Sequence, residues 1–235
     1  MISSDKNYNG VIDELVNGLW ISPSDNQQYG IPIKNIEIRE TLDGKESDLI
    51  KDLHSNQKLL VVSDPFTHKA MGSRIFKNLK GNINVDEFVW EQPSSSINGV
   101  EFLRSKLQDY DGMIAVGSGT VSDSIKYATF LEGKVYSVFA TTPMNAYTTG
   151  TASISFDGVK KSLVAHYAQG VFFDLEVLSN CPKRLTAAAF ADVICRTTAQ
   201  VDWLMSHKLL NTDYKTTPYE LLALYEMDMI NNASD

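Results

Sequence analysis

Four short apolar runs recur along the first part of the chain: KLLVVSD at 58–64, VDEFVW at 85–90, GMIAVG at 112–117 and VYSVFATT at 135–142. Three of them are continuously apolar rather than alternating, the mark of strands covered by helices on both faces. Between them, apolar residues recur at helical spacing in THKAMGSRIFKNLK (67–80), SINGVEFLRSKLQ (96–108) and TVSDSIKYATFLE (120–132). This alternation, with short connections, predicts a doubly wound α/β domain with a Rossmann-like parallel sheet. IPIKNIEIRE (31–40) adds an edge strand before it, and GVFFDL (170–175) a last strand after it. The stretch beginning TTPMNAYTTG after Ala140 is rich in Thr, Ser and Gly and reads as a loop with a hairpin.

From Pro182 onward nothing resembles a strand. Residues 184–209 form one long helical pattern dense in Ala and Leu, and 216–230 enters a helix with Thr at the cap and Pro just inside. The expected organisation is a nucleotide-binding domain over 1–180 and the start of an all-helical domain over 181–235. PYELLALYEMDM (218–229) is expected to cover part of the apolar face of that helical portion, or to pair with another copy.

Composition narrows the class. Of 235 residues, 43% are apolar and 21% charged, as in ordinary soluble globular proteins. A net charge of −8 argues against a nucleic-acid partner, which needs clustered Lys and Arg. No apolar run reaches the roughly 18 residues of a membrane span, so no membrane association is expected. MISSDKNYNG lacks the basic start and apolar core of a secretory signal, and a cytoplasmic location is the expectation. Cys181 and Cys195 are too few for a disulfide scaffold or a four-cysteine zinc site, and read as reduced core residues.

The chemistry gathers in YDGMIAVGSGTVSDSIKYATF, residues 110–130. Gly117 and Gly119 match the first two glycines of G-x-G-x-x-G, but Ser122 stands at the third. The loop lies between the carboxyl end of a strand and the start of a helix, where free N–H groups and the positive helix end favour an anion. Thr120 and Ser122 add hydroxyls. An ordinary Gly-containing turn with a hydroxyl cap fits the same residues. Asp64, ending the first core strand, suits either ribose hydroxyls or the cap of the next helix. Asp192 is the only polar residue between Thr186 and Arg196. It is expected to be buried and to need a positive partner. Arg196, four residues on, is the plainer partner, and a metal ion the sharper one.

These segments and their order carry a resemblance. VVSDPFTHKAMGSRIFKNL, AVGSGTVSDSIKYAT, GVKKS and FFDLEVLSNCPKRLTAAAFADVICRTTAQVDW resemble glycerol-1-phosphate dehydrogenases, within the iron-containing alcohol dehydrogenase and dehydroquinate synthase superfamily. The similarity runs from about Lys58 to Trp203. It implies that Gly117, Ser118, Gly119, Thr120 and Val121 hold the pyrophosphate of NAD or NADP. It places Thr141 and Thr142 beside the cofactor and Asp64 near the adenosine ribose. Asp192 matches the carboxylate that ligates a catalytic divalent metal, usually zinc, and contacts a small phosphorylated alcohol. In such enzymes the metal lowers the pKa of the substrate hydroxyl so that hydride can pass to nicotinamide.

The chain departs from that family in two ways. The family's substrate-binding Asp is replaced by Ala146 in an ungapped alignment, or by Asn145 with a one-residue gap that matches Tyr147 to the family's aromatic residue. The family's two metal-binding histidines fall beyond residue 235, and His54, His68, His166 and His207 match none of them. A homo-oligomer, or a second chain supplying the missing helical domain, is the expected partner.

Overall fold

The computed structural model describes residues 8–223 and 225–233. Met1–Asn7, part of the segment read as free of a signal, lie outside the described residues, as does Leu224 within 218–229. In chain order the strands are β1 Trp20–Ile21, β2 Gln28–Tyr29, β3 Asn35–Arg39, β4 Leu59–Ser63, β5 Val85–Val89, β6 Gly112–Gly117, β7 Val135–Ala140, β8 Thr151–Phe156, β9 Val159–Val164 and β10 Gly170–Asp174. The α-helices are α1 Tyr8–Val16, α2 Glu46–Leu53, α3 Pro65–Thr67, α4 Ser73–Leu79, α5 Ile97–Leu107, α6 Gly119–Leu131, α7 Leu175–Ser179, α8 Lys183–Leu210, α9 Thr217–Ala223 and α10 Glu226–Asn231. A π-helical turn at His68–Gly72 joins α3 to α4.

Six strands form one parallel sheet in the order β3-β10-β7-β6-β4-β5. Every residue of β4 and β6 is buried, which is why those runs are apolar without alternation. One face packs Leu60, Val62 and Met113 against Val100 and Leu103 of α5 and Ile125 of α6. The other packs Val61, Ile114 and Val116 against Ile50 of α2, Met71 of the π turn and Ile75 of α4. Each fully buried side chain of this kind contributes about 1.5–3 kcal/mol.

The doubly wound reading therefore holds, with the segment 31–40 supplying the edge strand β3. The hairpin expected after Ala140 is β8–β9, antiparallel and separate from the main sheet. Four elements have no counterpart in the sequence reading: α1, the β1–β2 pair, α2 and the short α7. The helix read as 67–80 starts at Pro65, because Asp64 caps it and Pro65 fits its first position.

Past Pro182 the chain is helical, as expected. α8 runs 28 residues, with Ala189 its one buried residue among those described, and ends at Asn211 in the left-handed conformation with φ 55°. α9 then reaches back to the amino-terminal end of the chain. Ser22 Oγ donates to Glu220 Oε2 at 2.9 Å, and the Ser24 and Thr216 hydroxyls meet at 2.8 Å. Leu221 and Leu222 face Val11, Ile12 and Leu15 across a small apolar pocket. No helix among the described residues is long and apolar enough to cross a membrane.

Candidate functional site

The winding of the sheet reverses between β4 and β6: β5 lies on one side of β4, and β6, β7 and β10 on the other. Ligands of open α/β sheets bind outside the carboxyl ends of the strands at such a switch point. A cleft of about 910 Å3 opens there, lined by Asp64, Phe66, Arg74, Ser118, Thr141 and Thr142, with Cys181 just before α8 and Arg184 in its first turn.

The β6–α6 loop supplies the anion-binding geometry. Ser118 stands at the cap position in extended conformation and makes no side-chain cap. The Ser122 N–H is the first to find an acceptor, Ser118 O at 3.0 Å. Among the described residues, the N–H groups of Ser118, Gly119, Thr120 and Val121 make no hydrogen bond. They sit at the positive end of a 13-residue helix.

The two glycines do different work. A Cβ on Gly117 would lie 2.7 Å from Val121 Cβ, so the close approach of strand and helix demands glycine. A Cβ on Gly119 would meet nothing nearer than Met144 Sδ at 3.7 Å, so internal packing does not require glycine there. Ser122 is fully buried, and its small side chain fills the place where the third glycine of the fingerprint packs helix on strand. Its hydroxyl lacks a hydrogen-bond partner among the described residues. Val121 has its side chain in the core and offers the loop only its backbone N–H.

Thr141 and Thr142 both line the cleft but are not equivalent. Thr142 Oγ1 lies 2.7 Å from the Tyr147 hydroxyl, which donates to Gly117 O at 2.9 Å. Thr141 is 7% exposed, and its Oγ1 has no partner among the described residues. An orphaned buried hydroxyl on the cleft wall is one a bound ligand would satisfy. Asp64 proves to be the cap: Oδ1 accepts from the Phe66 and Thr67 N–H groups at 2.8 and 2.9 Å. Its other oxygen accepts no hydrogen bond among the described residues, so capping and a ribose contact are compatible.

The site is braced by groups the sequence reading passed over. Lys126 is fully buried, and its ammonium donates to Ala146 O at 2.7 Å, Thr151 O at 2.9 Å and Thr149 Oγ1 at 3.2 Å. Asp123 lies 3.4 Å from the same nitrogen and accepts the Ser153 N–H. Burial pushes Lys126 below the usual lysine range, opposed by the charge of Asp123. No local pattern marked it: α6 carries Ser122, Asp123, Ser124 and Lys126 as an ordinary polar stretch would, and it is tertiary packing that buries all four. On the cleft wall, Arg74 joins the buried carboxylates Glu46 and Asp174.

The far end of the site corrects the sequence reading. Asp192 is exposed rather than buried, on a helix whose one buried residue among those described is Ala189. It forms no ion pair with Arg196 among the described residues. Its Oδ2 accepts from Asn145 Nδ2 at 2.6 Å, and the Cys195 thiol lies 3.9 Å from Oδ1. The structure thus joins the two residues nominated for substrate, but neither lines the cleft. Cys181 and Cys195 are free thiols, yet neither is a core residue: Cys181 is half-buried on the cleft wall and Cys195 is exposed.

A divalent metal does not fit these residues. Among the described residues no three His, Cys, Asp or Glu side chains gather as a ligand set. His54 contacts Gln57 and Ser137, His68 contacts Glu87, His166 contacts Thr129 and His207 contacts Thr212 O. The group nearest Asp192 is an amide donor rather than a ligand atom. A dinucleotide phosphate does fit: unpaired amides, a helix end and an unpartnered hydroxyl converge at one edge.

Sheet, switch point and amide-lined loop together define a doubly wound, Rossmann-like α/β protein. The chain belongs to the iron-containing alcohol dehydrogenase family, whose model matches residues 37–182. It is 34% identical over 179 residues to the glycerol-1-phosphate dehydrogenase [NAD(P)+] of Pyrococcus horikoshii, covering 73% of this chain and 51% of that protein. It is 29% identical over 173 residues to the enzyme of the same name from Geobacillus thermodenitrificans, covering 70% and 43%. Among solved structures, a probable glycerol dehydrogenase from Sinorhizobium meliloti shares the fold with a TM-score of 0.71 at 16% identity, over 86% of this chain and 57% of the other. The chain thus spans about half the length of the curated relatives it matches.

Proposed function

We propose that this chain binds NAD or NADP with the pyrophosphate on the N-terminus of α6, as the nucleotide half of a dehydrogenase acting on the CH–OH group of a glycerol-phosphate-like alcohol. One observation carries the cofactor reading: four free N–H groups, Ser118 to Val121, stand at the switch point beside the orphaned Thr141 hydroxyl. Thr120 and Thr141 supply hydroxyl donors, and the open oxygen of Asp64 accepts from a ribose. The substrate reading rests on the names of the relatives. The bound cofactor would supply hydride transfer; the chain's own residues bind and orient it.

The experiment is a titration of NADH and NADPH followed by tryptophan fluorescence, with glycerol-1-phosphate oxidation assayed in parallel, with and without zinc. Saturable binding of either dinucleotide is expected. Binding of neither overturns the reading.

A second reading is favoured by the Asn145–Asp192 contact and the scattered histidines: dinucleotide binding without turnover by this chain alone. Catalysis then needs a second copy or a second chain to complete the helical side. The exposed Val201, Leu204, Met205, Leu209 and Leu210 of α8 support such a partner. Turnover by the isolated chain, shown monomeric by light scattering, would exclude this second reading.

A further inference from the structure

The Tyr147 side chain is fully buried and 30 residues from the loop it serves. Its single proton goes to Gly117 O at 2.9 Å. Thr142, 2.7 Å away, must therefore donate its own proton to the tyrosine oxygen. Burial raises the phenol above its ordinary range, so it remains a donor. The same Gly117 carbonyl receives the Thr141 N–H at 3.4 Å.

The peptide unit joining Gly117 to Ser118 is planar and trans, so its C=O and N–H point in opposite directions. A carbonyl held on Tyr147 turns the Ser118 N–H away from Tyr147, and Ser118 lines the cleft. Glycine on one side of that peptide makes a flip inexpensive. A flipped unit would offer an anion a carbonyl oxygen in place of a donor. Something has to hold it.

We propose that Tyr147 is the positioning residue of the phosphate cradle: its hydroxyl locks the Gly117–Ser118 peptide with the N–H outward, preparing the loop for a diphosphate-bearing ligand. This rests on the dinucleotide reading above. The lock has its own anchor. Tyr147 lies on a 3-10 turn, Asn145–Thr148, whose Ala146 carbonyl is gripped by the Lys126 ammonium. Lys126 belongs to α6, so the helix that presents the amides also fixes the turn that aims them.

The test uses ADP, which carries the diphosphate, with calorimetry and the amide resonance of Ser118 in 15N-labelled full chain. In the natural chain ADP binds and shifts that resonance. Tyr147→Phe keeps the ring and removes the hydroxyl, and is expected to weaken ADP about tenfold and to diminish the Ser118 shift. A residue that merely supported the fold would lower the unfolding midpoint and leave the shift unchanged. If Tyr147→Phe does not fold, Thr142→Val carries the test: it removes the hydroxyl that supports the lock, and is expected to weaken ADP about threefold. Variants that bind ADP as the natural chain does, with the same Ser118 shift, overturn the lock alone. A natural chain that binds no ADP overturns the dinucleotide reading and the lock with it.

Discussion

The two ends of the site are built in opposite ways. At the α6 end, the loop amides are aimed by Gly117, Tyr147 and Thr142, and these are braced by the buried Lys126. At the α8 end, Asn145 meets Asp192 in the open, on a helix with little covering. Contacting groups keep their geometry when packed, hydrogen-bonded neighbours hold them, and among the described residues such neighbours stand at the α6 end. The difference teaches that the α6 end is prepared for the nucleotide proposed above, whereas the Asn145–Asp192 contact is unbraced. Three experiments break or sharpen that contrast.

The largest effect belongs to Lys126. Lys126→Met would leave Asp123 buried without its cation, and Ala146 O and Thr151 O without their donor. Breaking a buried pair from one side costs about 3–5 kcal/mol. The matching change at the other end, Asp192→Asn, removes a charge from an exposed hydrogen bond and is expected to stay within about 0.5 kcal/mol. Urea denaturation of both variants measures the contrast. Equal losses would show that the two ends are equally braced.

The glycines come next. Gly117→Ala places a methyl 2.7 Å from Val121 Cβ, an overpacking that costs about 1–3 kcal/mol. Gly119→Ala meets only Met144 at 3.7 Å, so stability is expected to hold or rise by up to about 1 kcal/mol. Its methyl should instead disturb the approach of a phosphate and weaken ADP about tenfold. One glycine serves the fold and its neighbour the ligand. A Gly119→Ala chain that binds ADP normally would remove that distinction.

Much of this was legible in the sequence, and the gaps have physical causes. Continuous apolar runs betrayed the buried strands, and Gly117 to Val121 betrayed the strand–loop–helix junction. α1 and α2 are short and mixed in polarity, too brief for periodicity to stand out. Asp192 was misread because composition reports which residues neighbour an acid, not whether anything covers them. Asp64 admitted two readings because one carboxylate can cap a helix with one oxygen and keep the other. The split between Thr141 and Thr142 depended on Tyr147, whose hydrogen bond to Gly117 spans 30 positions and has no signature in local pattern.

The smallest effect is a pH dependence, and it belongs to the α/β half. Burial lowers the pKa of His54 and of His166 below the ordinary 6.5, aided by Lys34 for the first and Lys126 for the second. For His54 the hydrogen bonds explain why. Gln57 Oε1 takes the Nδ1 proton at 2.8 Å, and Ser137, which already accepts the Gly170 N–H, is left to donate to Nε2 at 2.7 Å. A second ring proton would strand the Ser137 proton in a buried site. Because both folded values are depressed, the unfolded chain binds more protons once the pH falls below 6.5. The stabilisation is therefore complete above that value and is lost as pH drops through the folded pKa values. The slope cannot exceed about 1.4 kcal/mol per pH unit for each histidine. Urea midpoints at about pH 7.5, 6.5 and 5.5 should fall in that order, and less steeply in His54→Gln, which has no ring to protonate. An equal slope in the variant would place the dependence elsewhere, and a midpoint that rises on acidification would reverse its sign.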